Sequence, residues 1–147
     1  MGGLTFARGL ILIVTASCML AVSTADKNHK IIVGGSEGWK FNFSYTSWAE
    51  KNGPFYADDT LVFKYDAPVD NNSIPHNVFL LRNHESFEKC DLKGAKLLAD
   101  EKQGGGDGFE FVLKKCKPHY FACGVHEGAH CNFGKMKFFV EPLHRPS

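Results

Sequence analysis

Residues 120–136 have the sequence YFACGVHEGAHCNFGKM, which places a cysteine, two histidines, a second cysteine and a methionine within one short segment. The aromatic residues that open this segment and the KFFV run that follows it, at 137–140, predict two β-strands joined by a loop rich in cysteine and histidine. A further histidine, His76, stands immediately before another apolar run, at 77–81. One thiolate, two imidazoles and a weak thioether are the donors of a blue copper electron-transfer site. The segment therefore predicts a metal centre between strands.

Zinc is the competing metal for this segment. His126 and His130 are separated by three residues, a spacing that occurs in zinc sites. Structural zinc sites usually close a set of four ligands that come in two such pairs. Thiolate, in contrast, suits Cu(I), and imidazole suits both oxidation states of copper. The sequence favours copper and leaves zinc as the alternative.

The rest of the chain alternates short apolar or aromatic runs with Gly, Pro, Asn and Asp, a pattern typical of an all-β domain. Six strands at this spacing predict a β-sandwich or a small barrel. The predicted strands are 31–33, 60–65, 77–81, 109–113, 120–123 and 137–140. Short helical turns are predicted at 44–52, which starts at a Ser/Thr cap and ends near Gly53, and at 94–100. Residues 104–108, GGGDG, predict a flexible turn.

Composition and charge argue against several classes of function. The chain has 147 residues, 44% of them hydrophobic, which is enough for one domain with its own core. It carries 17 Lys and Arg against 16 Asp and Glu, so it lacks the basic excess that binding to nucleic-acid phosphates requires. No paired carboxylates and no nucleophile with an adjacent base stand out, and we therefore expect no enzyme.

The N-terminal segment has the pattern of a secretion signal. Arg8 precedes the apolar run 9–22, and the small residues Ser23-Thr24-Ala25 follow it. This run is too short for the ~20 residues of a membrane-spanning helix. We predict a signal peptide at 1–25, cleaved after Ala25, and a secreted mature domain at 26–147 with no transmembrane segment. The sequons at Asn42 and Asn71 predict N-glycosylation.

The cysteines leave their pairing open at the level of sequence. Cys18 departs with the predicted signal peptide, and Cys90, Cys116, Cys123 and Cys131 remain. An even number in a secreted chain predicts two disulfides, with three possible pairings. A copper site would instead require one of the four as a thiolate.

Segments throughout the mature chain resemble the phytocyanins, the secreted plant subfamily of cupredoxins. Each match is weak alone, but their order and spacing over about a hundred residues identify the family. The matching segments are VGGSEGW at 33–39, WA at 48–49, FYADDTLVFKY at 55–65, HNV at 76–78, Cys90, YFACG at 120–124, HC at 130–131, Gly134 and MK at 136–137.

The resemblance implies a fold, a cofactor and a set of site residues. The fold would be a two-sheet Greek-key β-sandwich of the cupredoxin type with one or two short helical turns. One type 1 copper ion would be bound by His76, Cys123 and His130. A disulfide between Cys90 and Cys131 would leave Cys123 free to be the thiolate. The location would be the extracellular space of the plant cell wall.

Two departures from the family pattern affect the predicted ligands. Six residues separate Cys123 from His130, a longer loop than the family's, so His126 competes for the role of His130. We favour His130 because the adjacent Cys131 fixes its place. Lys135 follows Gly134 where the family has its axial residue, and we predict that Met136 is the axial ligand, the alternatives being Lys135 or a core methionine.

A third departure is Cys116, which the family does not require. Its lysine neighbours at 114, 115 and 117 predict an exposed and reactive thiol. An inert buried thiol, an intermolecular disulfide and a disulfide with Cys123 are the alternatives. Trp39, Trp48, Phe63 and Tyr65 are predicted core residues, whereas His29, His84, His119 and His144 are predicted to be solvated.

The predicted function is that of a secreted one-electron carrier that cycles between Cu(II) and Cu(I). Its partner would be an unidentified redox protein or a small reductant, and the protein would be a monomer. The alternative is an extracellular interaction or signalling module with the same fold, in which copper is absent or incidental. Thiol counting separates the two, because a copper site needs Cys123 free.

Overall fold

Two β-sheets enclose the core in the computed structural model, which describes residues 29–146. The predicted signal peptide and Cys18 lie outside the described residues. The first sheet has the strand order β1 (Lys30–Ile32), β2 (Thr60–Phe63) and β5 (Phe109–Val112). The second has the order β4 (Lys96–Ala99), β3 (Val78–Leu81), β6 (His119–Ala122) and β7 (Lys137–Val140). Only β1 and β2 pair in parallel among these strands. The predicted all-β sandwich is confirmed.

Three short helices and a 3₁₀ turn accompany the sheets. They are α1 (Tyr45–Asn52), α2 (His84–Lys89), α3 (Ala129–Asn132) and the turn Gly35–Glu37. The predicted helical turn at 44–52 is confirmed as α1. The predicted turn at 94–100 is wrong, because residues 96–99 form β4 and pair with β3. Lys, Leu and Ala in this segment favour a helix, but backbone hydrogen bonding to β3 stabilises the strand more than helix propensity stabilises a helix.

Aromatic side chains fill the space between the sheets. Phe63 from the first sheet and Phe121 from the second have ring centroids 5.4 Å apart. Trp48 of α1 packs edge-on against Phe138 of β7 at 5.4 Å, which closes one side of the sandwich. Trp39, Trp48, Phe63 and Tyr65 all belong to this buried cluster, as predicted.

His119 is the exception to the predicted solvated histidines. It is 6% exposed and packs against Phe111 and Phe121. Its Nδ1 atom has no hydrogen-bond partner, and burial lowers its pKa. The charged residues around it in sequence are misleading, because strand alternation turns His119 inward. The other three histidines predicted to be solvated, His29, His84 and His144, are exposed.

Strand register determines which loops meet at one end of the sandwich. β3 and β6 run antiparallel with Phe79 opposite Ala122, so the residues before β3 lie beside the residues after β6. β6 and β7 pair Ala122 with Lys137, which brings the residue before β7 to the same end. No helix within residues 29–146 has the length and apolar character needed to cross a membrane.

Candidate metal centre

The loops that meet at this end bring three donor side chains together. His76 precedes β3, Cys123 follows β6, and His130 lies in α3, the helix between β6 and β7. They form the cluster of potential metal-binding side chains found within residues 29–146. The exposed fractions are 8% for His76, 0% for Cys123 and 5% for His130, so solvent hardly reaches these side chains.

The spacing of the donor atoms fits a three-coordinate metal ion. Nδ1 of His76 and Nδ1 of His130 are 3.2 Å apart, and Sγ of Cys123 lies 4.0 Å and 3.6 Å from them, respectively. The point equidistant from the three atoms lies about 2.1 Å from each, close to the ~2.0–2.3 Å bonds that nitrogen and thiolate ligands make to zinc. Two imidazoles and one thiolate in a trigonal set, with Met136 in the same buried core cluster as Cys123, favour copper over zinc.

Burial keeps both imidazoles neutral at neutral pH. Burial, and secondarily the nearby His130, lowers the pKa of His76 to about 4. Burial, followed by the proximity of His126, lowers the pKa of His130. Neutral imidazole is the form that binds metal ions, because its nitrogen lone pair is free. The two facing Nδ1 atoms therefore suit a cation placed between them.

The cysteine thiol is in the opposite situation. Burial raises the pKa of Cys123 to about 11, while backbone hydrogen bonds from Asn77 and Val125 oppose the shift. The metal-free side chain is therefore a protonated thiol at neutral pH. A metal cation has to replace that proton, since the thiolate is the form that binds metals.

Asn77 joins the two ligand-bearing loops, a role that its sequence context alone did not predict. Its side-chain oxygen accepts a hydrogen bond of 2.7 Å from the backbone N–H of Gly124, next to Cys123. Its carbonyl oxygen accepts one of 2.9 Å from the indole N–H of Trp39. Gly124 must lack a side chain, because a Cβ atom there would come within 2.6 Å of the Phe79 ring. The feature of the sequence that could have indicated this role is the position of Asn77 directly after His76.

The structure contains a disulfide between Cys90 and Cys131. It joins the end of α2 to α3 and so holds the residue next to His130. Cys116 and Cys123 are free thiols, the first exposed and the second buried. The even number of cysteines predicted two disulfides among Cys90, Cys116, Cys123 and Cys131. The structure has one disulfide among these four residues.

Met136 and Lys135, the two residues considered for the axial position, differ in burial. Met136 is fully buried within the main core, whereas Lys135 is exposed in a left-handed backbone conformation with φ 55°. The backbone of Met136 accepts a hydrogen bond from the N–H of Cys123 (2.9 Å) and donates one to the carbonyl of His130 (3.0 Å). Its main chain thus links the two ligand-bearing segments, and the Lys135 side chain lies on the solvent side.

The remaining candidates lie outside the cluster. His126 is exposed, and its ring centroid is 5.4 Å from that of His130. Cys116 is exposed with its sulfur 3.6 Å from Nδ1 of His144. Asn42 and Asn71, the predicted glycosylation sites, are both exposed.

Comparisons with known proteins point to one family. The model of the plastocyanin-like domain family matches residues 39–135, a range that contains His76, Cys123 and His130. Blue copper protein 1b of Medicago truncatula is 30% identical over 135 residues, which cover 91% of this chain and 74% of that protein.

Two solved structures share the fold. Cucumber stellacyanin, solved with Cu²⁺, superposes with a TM-score of 0.62 at 26% identity and covers 81% of this chain and 99% of its own. Cucumber basic protein, a blue copper protein, superposes with a TM-score of 0.57 at 34% identity and covers 78% of this chain and 99% of its own. The chain therefore belongs to the plastocyanin-like domain family and, within it, to the phytocyanins, the plant blue copper proteins of the cupredoxin fold.

Proposed function

We propose that this chain is a one-electron carrier in which His76, Cys123 and His130 would bind one copper ion and Met136 would supply a weak thioether donor. The observation that carries the proposal is the triangle of donor atoms, whose centre lies at metal-bond distance from two nitrogens and one sulfur. Bound copper supplies a couple between Cu(II) and Cu(I), which moves one electron without making or breaking a covalent bond.

The protein's contribution is to hold the donors in one arrangement for both oxidation states. His76 is fixed by the start of β3, and Cys123 by the hydrogen bond from its N–H to Met136. His130 is held by α3 and the neighbouring disulfide of Cys131. Such anchoring supports a small rearrangement on electron transfer, and hence rapid exchange.

Burial of the donors supports a carrier and not an enzyme. A catalytic metal site keeps an open position for water or substrate. Here the three donor side chains are each at most 8% exposed, and Met136, whose backbone hydrogen-bonds to Cys123 and His130, is fully buried. We therefore propose that no substrate is turned over at the metal. In this proposal the protein acts as a monomer and exchanges electrons with a redox protein or a small reductant.

The proposed site of action is the extracellular space of the plant cell wall. The sequence of residues 1–25 supports secretion, and the exposure of Asn42 and Asn71 is compatible with glycosylation at both sequons. The free thiol of Cys116 would then face an oxidising environment.

A redox titration tests the proposed function. Copper-loaded protein is reduced and reoxidised stepwise against a mediator of known potential while absorbance and electron count are recorded. We expect one electron per chain, full reversibility and an unchanged secondary structure. Irreversible bleaching, release of copper on reduction, or transfer of fewer electrons than copper ions would contradict a carrier.

A further inference from the structure

Among the histidines outside the proposed ligand set, His126 is the one whose ring packs against a member of that set within residues 29–146. Its ring meets the ring of His130 with centroids 5.4 Å apart and an angle of 65° between the planes. It is exposed, whereas His130 is 5% exposed. His126 lies outside the group of donor atoms that converge on one point. His126 is therefore an exposed imidazole that contacts one proposed ligand without belonging to the converging donor group.

The lengthened loop holds His126 in a defined and unusual backbone conformation. His126, Glu127 and Gly128 have φ values of 52°, 55° and 88°, three left-handed residues in succession. The carbonyl of His126 accepts a hydrogen bond of 3.0 Å from the N–H of Ala129, and the N–H of Gly128 donates one of 3.2 Å to Gly124. Non-glycine residues with positive φ are strained, and such residues are concentrated at functional sites. The loop thus holds His126 in a fixed position at the cost of backbone strain.

Of the aromatic rings packed against His130, only that of His126 is both exposed and able to bind a copper ion from solution. Phe41 packs against the His130 ring at 5.2 Å and offers no donor atom. His76, at 5.2 Å, is itself buried. His126 contacts the same ring, is exposed, and carries imidazole nitrogens that bind copper well.

We propose that His126 is the entry residue for copper. Its imidazole binds a hydrated Cu(II) ion at the surface in exchange for a water ligand and passes it to His130, after which Cys123 and His76 complete the site. The Cys123 proton leaves to solvent, and no electron is transferred. This inference rests on the proposed ligand set, but it concerns the rate of loading and not the final site.

Stopped-flow loading of the metal-free protein with Cu(II) tests the proposal. The variant is His126→Asn, because asparagine also favours a left-handed backbone and so preserves the loop. The matched control is His84→Asn, which removes another exposed histidine, on α2 and outside the donor cluster. We expect His126→Asn to slow formation of the thiolate-to-copper band by about tenfold, equivalent to about 1.4 kcal/mol in the loading barrier. The control should load at the wild-type rate.

The final spectrum and affinity are measured on the same samples. An unchanged end-point spectrum with slow loading supports an entry role. Equal loading rates for His126→Asn and wild type would overturn the proposal, as would equal slowing by His84→Asn, which would indicate general attraction by surface histidines. A changed end-point spectrum would also overturn it, because His126 would then be a resident ligand. Failure of the wild type to develop the band would reject the proposed ligand set itself, a result distinct from all of these.

Discussion

The two free cysteines within residues 29–146 occupy opposite environments. Cys123 is fully buried at the end of β6 and lies within 4.0 Å of two imidazole nitrogens. Cys116 is exposed, flanked by lysines, and has a single imidazole nitrogen, from His144, at 3.6 Å. Each sulfur has a histidine at similar distance, so one cysteine–histidine contact does not distinguish a metal site. What distinguishes the metal site at Cys123 is a second imidazole that points to the same place, together with the exclusion of water.

Serine substitution at each cysteine should break the comparison most completely. Cys123→Ser removes the thiolate, so the intense visible absorption of the copper protein should disappear. Cys116→Ser should leave the band and its stoichiometry unchanged. Absorption spectra of the two copper-loaded variants measure this, and circular dichroism checks that both are folded. An intense band in Cys123→Ser would show that another residue supplies the sulfur.

Thiol labelling should separate the two cysteines by rate. In the folded metal-free protein, an aromatic disulfide reagent should modify Cys116 rapidly. Cys123 should react only through unfolding, at least about a thousandfold more slowly, because a buried thiol is protected by the free energy of opening. A protein of residues 26–147 should give two thiols per chain after denaturation without reductant. A count of zero would contradict both free cysteines.

Copper affinity should depend on pH through Cys123. Its pKa of about 11 means that the metal-free thiol is protonated, while His76, with a pKa of about 4, is already neutral. Binding should therefore release one proton, and affinity should rise about tenfold per pH unit between about pH 6 and 8. Competition with a chelator of known affinity at several pH values measures the slope. Cys116→Ser should show the same slope, and a pH-independent affinity would argue against thiolate binding.

The axial position should show the smallest effect. Met136→Leu removes a weak donor that favours Cu(II), so the reduction potential should rise. Lys135→Leu should change it less, because the Lys135 side chain is exposed. Voltammetry of the two copper-loaded variants gives the ranking. The reverse order would assign the axial influence to Lys135.

The sequence predicted the sheets better than the helices. Period-two runs such as 60–65 and 109–113 correspond to β2 and β5, because alternation reflects one buried face directly. The helix α2 was missed although Asn83 caps it by accepting a hydrogen bond of 2.9 Å from the N–H of Ser86. The strand β4 was missed because its identity depends on pairing with β3, which lies on the other side of α2 in the chain.

The candidate site was predictable in its residues but not in its loop. His76, Cys123 and His130 follow from the family resemblance, and strand register explains why they meet. The left-handed conformations of His126 and Glu127 were not predictable, since non-glycine residues adopt positive φ only where tertiary contacts impose it. The burial of His119 depends likewise on packing against Phe111 and Phe121.

A titration of residues 26–147 with Cu(II), followed by absorption and electron paramagnetic resonance, tests the central claim most directly. Two imidazoles and one thiolate around a single ion predict an intense visible charge-transfer band that saturates at one copper per chain. The resonance spectrum should show a single copper species over the same titration. A colourless protein, or one with only the weak absorption of copper bound to surface histidines, would contradict the proposed site.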